Sequence, residues 1–433
     1  MYFYLPSNLE FDNLFPGCTK HRERYMYFIH KVVEESSLNQ KYEKDDFINL
    51  HSHTIRELMG RRLFYDIRKN LIDKGVIEIN NSYLVGKYSK SYRLTPKFRN
   101  VSHDKIKVKD KKLLKNLAKN DYRYIKYISG KSEHQYLFNQ LNNITIDHKQ
   151  ALHFINQKYE KNSEKYKSYT LSVDYIQEKR FFFIVDKIAG RVHTNITNLS
   201  RDLRKFLYLN GKPFKDKDLN PINNVDICNS QPLFFNILIL KREKQKAIAL
   251  RKSIFIFERD GESKVACKST FRNLSYSGTI SSYKSPADIE LYRKLTSEGK
   301  FYEFLMEKGG VKLEDRQEFK KGFFGKVFFC KTNEKYMYKT AKIFKRLFPN
   351  VYEIIKYYKK DDYKQLAIKL QRAEANLMIG HICKRISIEK PDMFITTIHD
   401  SIMVTKENTD YVREIILDEF KKNFNLKPTL KTE

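Results

Sequence analysis

The residues best placed to do chemistry are two aspartates and a stripe of cations and aromatics between them. Asp400 interrupts Phe394–Val404, an otherwise apolar and β-branched run. Such a run reads as two short strands meeting at a tight turn. A charge at the tip of a buried hairpin is costly unless a cation meets it. Either the turn is exposed and the aspartate serves only the turn, or a metal or substrate sits there. Asp226 lies between Val225 and Ile227 and precedes the apolar, helix-like stretch Pro232–Leu238. Two carboxylates from separate strands can hold two Mg²⁺ ions, which clamp the attacking and leaving oxygens of an in-line phosphoryl displacement.

Between the aspartates runs Arg316–Phe328. Helical positions four apart drift by only about 40°, so Arg316, Lys320, Phe324 and Phe328 form one stripe of two cations followed by two aromatics. A triphosphate needs cations and a base needs a flat apolar surface, so one nucleotide fits along it. The alternative is an amphipathic helix with its phenylalanines in the core and its bases in solvent. Gly322 and Gly325 argue against an ordinary helix, because each costs about 1 kcal/mol there relative to Ala. They point to something that approaches the backbone closely.

This stripe is similar to the R-x3-K-x3-F/Y-G-x2-Y/F pattern on the fingers helix of the family A DNA polymerases. Ile398–Ile402 resembles their H-D-E/S metal motif, and Asp226 with Ser230 and Gln231 resembles their first metal motif. Gly190–Leu199, followed by Arg204, looks like their T-G-R…N-L…R block. The four motifs stand in the family's order over roughly residues 180–433. The resemblance implies that Asp226, Asp400 and the Ile227 carbonyl bind two Mg²⁺ ions, with Mn²⁺ as a substitute. It implies that Lys320 contacts the incoming phosphates and helps protonate pyrophosphate, and that Arg316 holds the outer phosphate. Phe324 would stack near sugar and base, Gly325 would leave room for the template base beside Phe328, and Gln231 would face the nucleotide. Arg191, Asn198, Arg204, Gln371 and His399 would hold the primer–template.

The chain departs from the family at three places. One more residue separates Asp226 from Gln231 than in the bacterial repair enzymes. Leu233 replaces the glutamate that screens out ribonucleotides. Ser401 stands where many members have glutamate, a feature shared with single-subunit phage RNA polymerases. Phe324 favours DNA, because those RNA polymerases use a tyrosine hydroxyl to recognise the ribose and phenylalanine has none.

Elements must position these residues, and bulk properties bound them. The chain has 433 residues, 41% of them hydrophobic, and a formal charge of +31. Basic residues are spread along its whole length. A folded protein of this charge self-repels unless a polyanion neutralises it, and nucleic acid is the expected partner. An AT-rich genome would also enrich lysine, but it enriches Glu and Asp codons too. No apolar run spans a bilayer and no secretory signal opens the chain, so a membrane role is not expected and a cytoplasmic location is. Cysteines 18, 228, 267, 330 and 383 form no CxxC pair, which supports neither zinc knuckles nor disulfides.

Residues 1–100 read as a separate module. Helical stretches at Thr54–Met59 and Arg62–Asp73 precede a strand at Val76–Ile79 and a hairpin through Tyr83–Val85, a basic tip at Gly86–Lys90, and Ser91–Leu94. This order resembles a winged helix-turn-helix domain. In that family the second helix enters the major groove and the wing touches phosphates, which implies DNA contacts from Arg61, Arg62, Arg68, Lys69, Lys87 and Lys90. A protein-binding or bracing module remains the alternative. Residues 101–180 read as a helical, thumb-like segment. Its lysines and its Tyr122–Tyr127 cluster are either a solvated face or a stacking track for bases.

The expected class is α+β: a right-hand polymerase over 181–433, with fingers at roughly 285–365, and an N-terminal winged helix. The expected function is a compact DNA polymerase that extends a 3′-hydroxyl with dNTPs. No acidic exonuclease cluster precedes the core, so no nuclease activity is expected. By analogy the setting is a phage, plasmid or defence system. The rivals are an RNA-making, primer-independent or template-independent polymerase, and a DNA-binding regulator with a dead polymerase core.

Overall fold

The computed structural model describes residues 1–38, 47–83, 89–118, 130–161, 163–213, 222–259, 285–331 and 337–433, without side chains at 212–213, 247 and 249–259. Lys87, Tyr122–Tyr127, Cys267 and most of the expected Tyr83–Val85 strand and basic tip lie outside the described residues. The fold mixes helices with small antiparallel sheets. Two compact units form, Met1–Phe183 with Thr194–Pro221, and Ile184–His193 with Ile222–Glu433.

In the first unit, β1 (Tyr2–Pro6) is followed by the long helix α1 (Arg22–Leu38) and the short β2 (Ile48–Asn49). Next come α2 (Ser52–Met59), α3 (Arg61–Asp73), β3 (Ile77–Asn80) and β4 (Ser91–Leu94). Phe64, Ile67 and Leu71 bury one face of α3, the face its apolar spacing sets. Gly75, at φ 65°, ends that helix, where Val76 N–H reaches back to the Leu71 carbonyl at 2.9 Å. A left-handed residue with a long backward bond is the usual glycine stop. The sheet order is β2-β4-β3.

The expected break near residue 100 is absent, and so is the all-helical 101–180 segment. β5 (His103–Lys107) pairs antiparallel with β1, from Tyr2 opposite Lys107 to Pro6 opposite His103. The backbone groups of β1 need a partner, and a lysine-bearing outer strand satisfies them while it discourages further pairing. One core joins Phe3, Phe28, Ile67, Leu113 and Leu171, the last from α4 (Glu164–Gln177). Tertiary packing therefore merges what composition had divided.

A hairpin of β6 (Phe183–Val185) and β7 (Val192–Thr194) follows, and its tip, Ile184–His193, belongs to the second unit. That unit then builds β8 (Ile222–Ile227), α5 (Ser230–Arg259), α6 (Phe301–Gly309), α7 (Arg316–Phe323) and α8 (Lys364–Ala375). It ends with β9 (Ile395–Ile398), β10 (Ser401–Thr405), α9 (Thr409–Phe424) and β11 (Leu430–Thr432). The four strands form an antiparallel sheet in the order β9-β10-β8-β11. Val225 and Ile227 are buried while Asp226 between them is half-buried, as the two-residue alternation of a strand requires.

Interlocked aromatics hold α7 in place. Phe323 meets Phe301, Phe328 and Phe344 at ring distances of 5.4, 5.4 and 5.5 Å, all edge-on. Such pairs add about 0.5–1.5 kcal/mol each beyond burial. Among the described residues no helix is long and apolar enough to cross a membrane.

Candidate functional site

The pairing register brings the two aspartates together. Asp226 lies opposite Ser401 on the neighbouring strand, one residue after Asp400, and paired strands run about 4.8 Å apart. His399 and Asp400 form the two-residue link between β9 and β10, with His399 at φ 57°. Burial and the charge of Asp400 push the Asp226 carboxyl up to about 6, while Lys320 pulls it down. Strand, hairpin tip and helix thus supply three groups within electrostatic reach of each other. Neither aspartate has an ion-pair partner within 4 Å among the described residues, so the pair is an anionic site short of cations.

Ser401 does not face this site through its hydroxyl. It is buried and donates to the Ile398 carbonyl at 3.1 Å, which ties the hairpin across its turn. Leu233 is fully buried in α5.

The stripe on α7 holds for three of its four residues. Arg316, Lys320 and Phe324 are half-buried, and Gly325 is exposed. All three side chains border one ring: Tyr302 of α6 lies 5.8 Å from the Arg316 guanidinium, 6.0 Å from Lys320 Nζ and 6.2 Å from the Phe324 ring. Arg316 Nε also donates to Glu303 at 2.6 Å. Phe328 departs from the stripe. It is fully buried, 5.4 Å from Phe235, and offers no open face to a base. The cause is a change of helix type: Phe324–Phe328 is a π turn, with Phe329 N–H bonded to the Phe324 carbonyl at 2.8 Å. A π turn admits an extra residue, so the four-residue spacing no longer returns to the same face. Gly322 and Gly325 flank the changeover. A Cβ at Gly325 would meet nothing within 4 Å, so the chain's own packing does not demand glycine there.

Tyr302 and Glu374 escaped sequence reasoning. The Tyr302 hydroxyl is buried without a hydrogen-bond partner. Burial raises its pKa well above the usual value, and Asp400 adds to the rise. Glu374, on α8, is 1% exposed. Its oxygens accept from Arg191 Nε at 2.9 Å and Nη2 at 2.8 Å, and from the Gln231 amide. Burial pushes this carboxyl up to about 7 against the pull of Arg191, and Asp400 contributes to the rise. The only sequence signal was an acid three residues after Gln371, one turn along the same helix. Gln371 itself is half-buried, and His399 is exposed with its ring 6.3 Å from that of His193.

Other expected contacts lie in the first unit. Asn198 is exposed, while Arg204 is partly buried and donates to the Leu199 carbonyl at 3.1 Å. On α3, Arg61, Arg62 and Lys69 are exposed, whereas Arg68 stacks 5.1 Å from the Tyr65 ring. Lys90 Nζ donates to Asn81 at 2.8 Å.

Compared with protein-family models and with curated proteins, the chain matches none.

Proposed function

We propose that this chain is a nucleotidyltransferase of the right-hand polymerase type that extends a primer 3′-hydroxyl with deoxynucleoside triphosphates. The observation that carries the reading is the convergence of Asp226, Asp400 and Lys320 from three distant stretches of sequence. The hard carboxylate oxygens suit Mg²⁺ or Mn²⁺, and the raised Asp226 pKa marks a pair that gains from a divalent cation. Asp226 and Asp400 would hold the ions, with the Ile227 carbonyl as a further ligand. Ions bound there would supply charge stabilisation for the attacking and leaving oxygens.

The chain's own groups do the positioning. Arg316 and Lys320 offer cations for the triphosphate tail, and Phe324 offers a ring for the base or sugar. In the reaction, the primer 3′-oxygen bonds to the α-phosphorus as the bond to pyrophosphate breaks. Lys320 is placed to give a proton to the departing pyrophosphate. Gly325, open on its outer side, leaves bare backbone where a template base can approach.

Product analysis tests this reading. Purified protein with a primer–template and Mg²⁺ should lengthen the primer with dNTPs and copy the template. Extension by NTPs alone, or without template, would favour an RNA-making or template-independent enzyme. No extension under any condition would favour a DNA-binding regulator.

With a charge of +31, DNA binding should weaken steeply with salt. A protein that makes six or more phosphate contacts loses roughly a thousandfold in affinity between 50 and 200 mM salt. Fluorescence anisotropy over that range checks it, and a flat response would remove the electrostatic argument.

A further inference from the structure

Arg191, Glu374 and Gln231 form a buried polar cluster of unusual geometry. Glu374 grips Arg191 side-on, through Nε and Nη2, and this leaves Nη1 without a partner among the described residues. Arg191 keeps 21% of its side chain exposed, against 2% for Glu374. Gln231 gives its amide N–H to the same carboxylate, and its own Oε1 is buried without a partner. The grip is supported from both sides. Arg372 Nε donates to the Ile188 carbonyl at 2.6 Å, and Gly190 leaves only Cβ-contact space, 3.7 Å, against Ala375. The Arg191 tip is therefore fixed in direction, close enough to Asp400 for that charge to act on Glu374.

We propose that Glu374 is a positioning residue: it aims the free edge of Arg191 as a rigid donor at the minor-groove edge of the base pair at the primer end, and so sets discrimination against mispaired ends. This rests on the polymerase reading above. Purine N3 and pyrimidine O2 are minor-groove acceptors in every Watson–Crick pair, so one fixed donor accepts any correct pair. A mispair displaces those acceptors, and a rigid donor cannot follow them. A loosened arginine can. Loss of the clamp should therefore narrow the difference between correct and mispaired ends and leave nucleotide affinity to Arg316 and Lys320.

Glu374→Gln keeps the shape but sets an amide N–H against the guanidinium. It should lower the ratio of matched to mismatched primer extension on the order of tenfold, since a charge-assisted bond is worth about 1.5–3 kcal/mol. KM for the dNTP should stay within about threefold. A double variant, Arg191→Met with Glu374→Leu, restores apolar packing without a donor, and should show the same narrowed ratio even if its melting temperature recovers. A wild-type ratio in either variant overturns the proposal, because a purely structural staple would recover with stability. If the wild-type protein extends no primer at all, the polymerase reading falls first and takes this inference with it.

Discussion

Asp400→Asn and Asp226→Asn should each cut primer extension by about three orders of magnitude, a loss of ~4 kcal/mol in transition-state stabilisation, while DNA binding stays nearly intact. Both changes keep side-chain shape and remove one negative charge from a pair that lacks a cation within 4 Å. Neither is expected to unfold the sheet, because Asp226 sits on the half-exposed face of β8. Loss of one like charge also relieves the repulsion that raises the Asp226 pKa. The variants should therefore melt at or above the wild-type temperature in the absence of divalent ions. Single-turnover extension beside anisotropy on the same primer–template measures both arms. Retention of more than a tenth of wild-type activity by either variant would remove the metal assignment. The pH dependence has a definite sign. Near pH 5 the pair carries a proton that a cation must displace, because Asp226 titrates at about 6. Mg²⁺ affinity should rise as pH increases through 6 and level off above it.

The second large effect belongs to adjacent lysines. Lys320→Ala should lower kcat and raise KM for the nucleotide, for a combined loss of about a hundredfold or more in kcat/KM, as for other charge-stabilising groups. Lys321→Ala should stay within about threefold. One residue along a helix turns the side chain by about 100°. Lys320 lies beside Tyr302 and acts on Asp226, whereas Lys321 is exposed. Equal losses would mean that the two lysines contribute only general positive charge, and the stripe would lose its meaning.

Much of this site was legible because it obeys simple periods. Alternation around Asp226 and the β-branched run around Asp400 mark strands, and strands fix which residues meet. The stripe was legible as far as Phe324, since Arg316, Lys320 and Phe324 lie on regular α-helix. Phe328 was not, because a π turn is a hydrogen-bonding event and leaves no period to read. Glu374 was invisible for a different reason. Its partner Arg191 is 183 residues away, and nothing local distinguishes an acid that will be buried against arginine from one that faces water. The first unit failed in the same way. Residues 103–107 look like a charged, helix-prone stretch until β1 recruits them as an outer strand. Ser401 adds a caution about motifs: its identity suggested sugar selection, yet its hydroxyl is spent on Ile398.

The separation of Arg191 from Glu374 also has a consequence for biosynthesis. Ribosomes add about 5–20 residues per second, so a span of 183 residues takes roughly 10–40 s to emerge. All residues of the first unit have been made by Pro221, and that unit can consolidate while the hairpin tip Ile184–His193 still waits for its anchor. Throughout that interval the guanidinium of Arg191 has no carboxylate to hold it. Nascent-chain order is thus written into this protein by one ion pair: the segment made early is among the last to be locked.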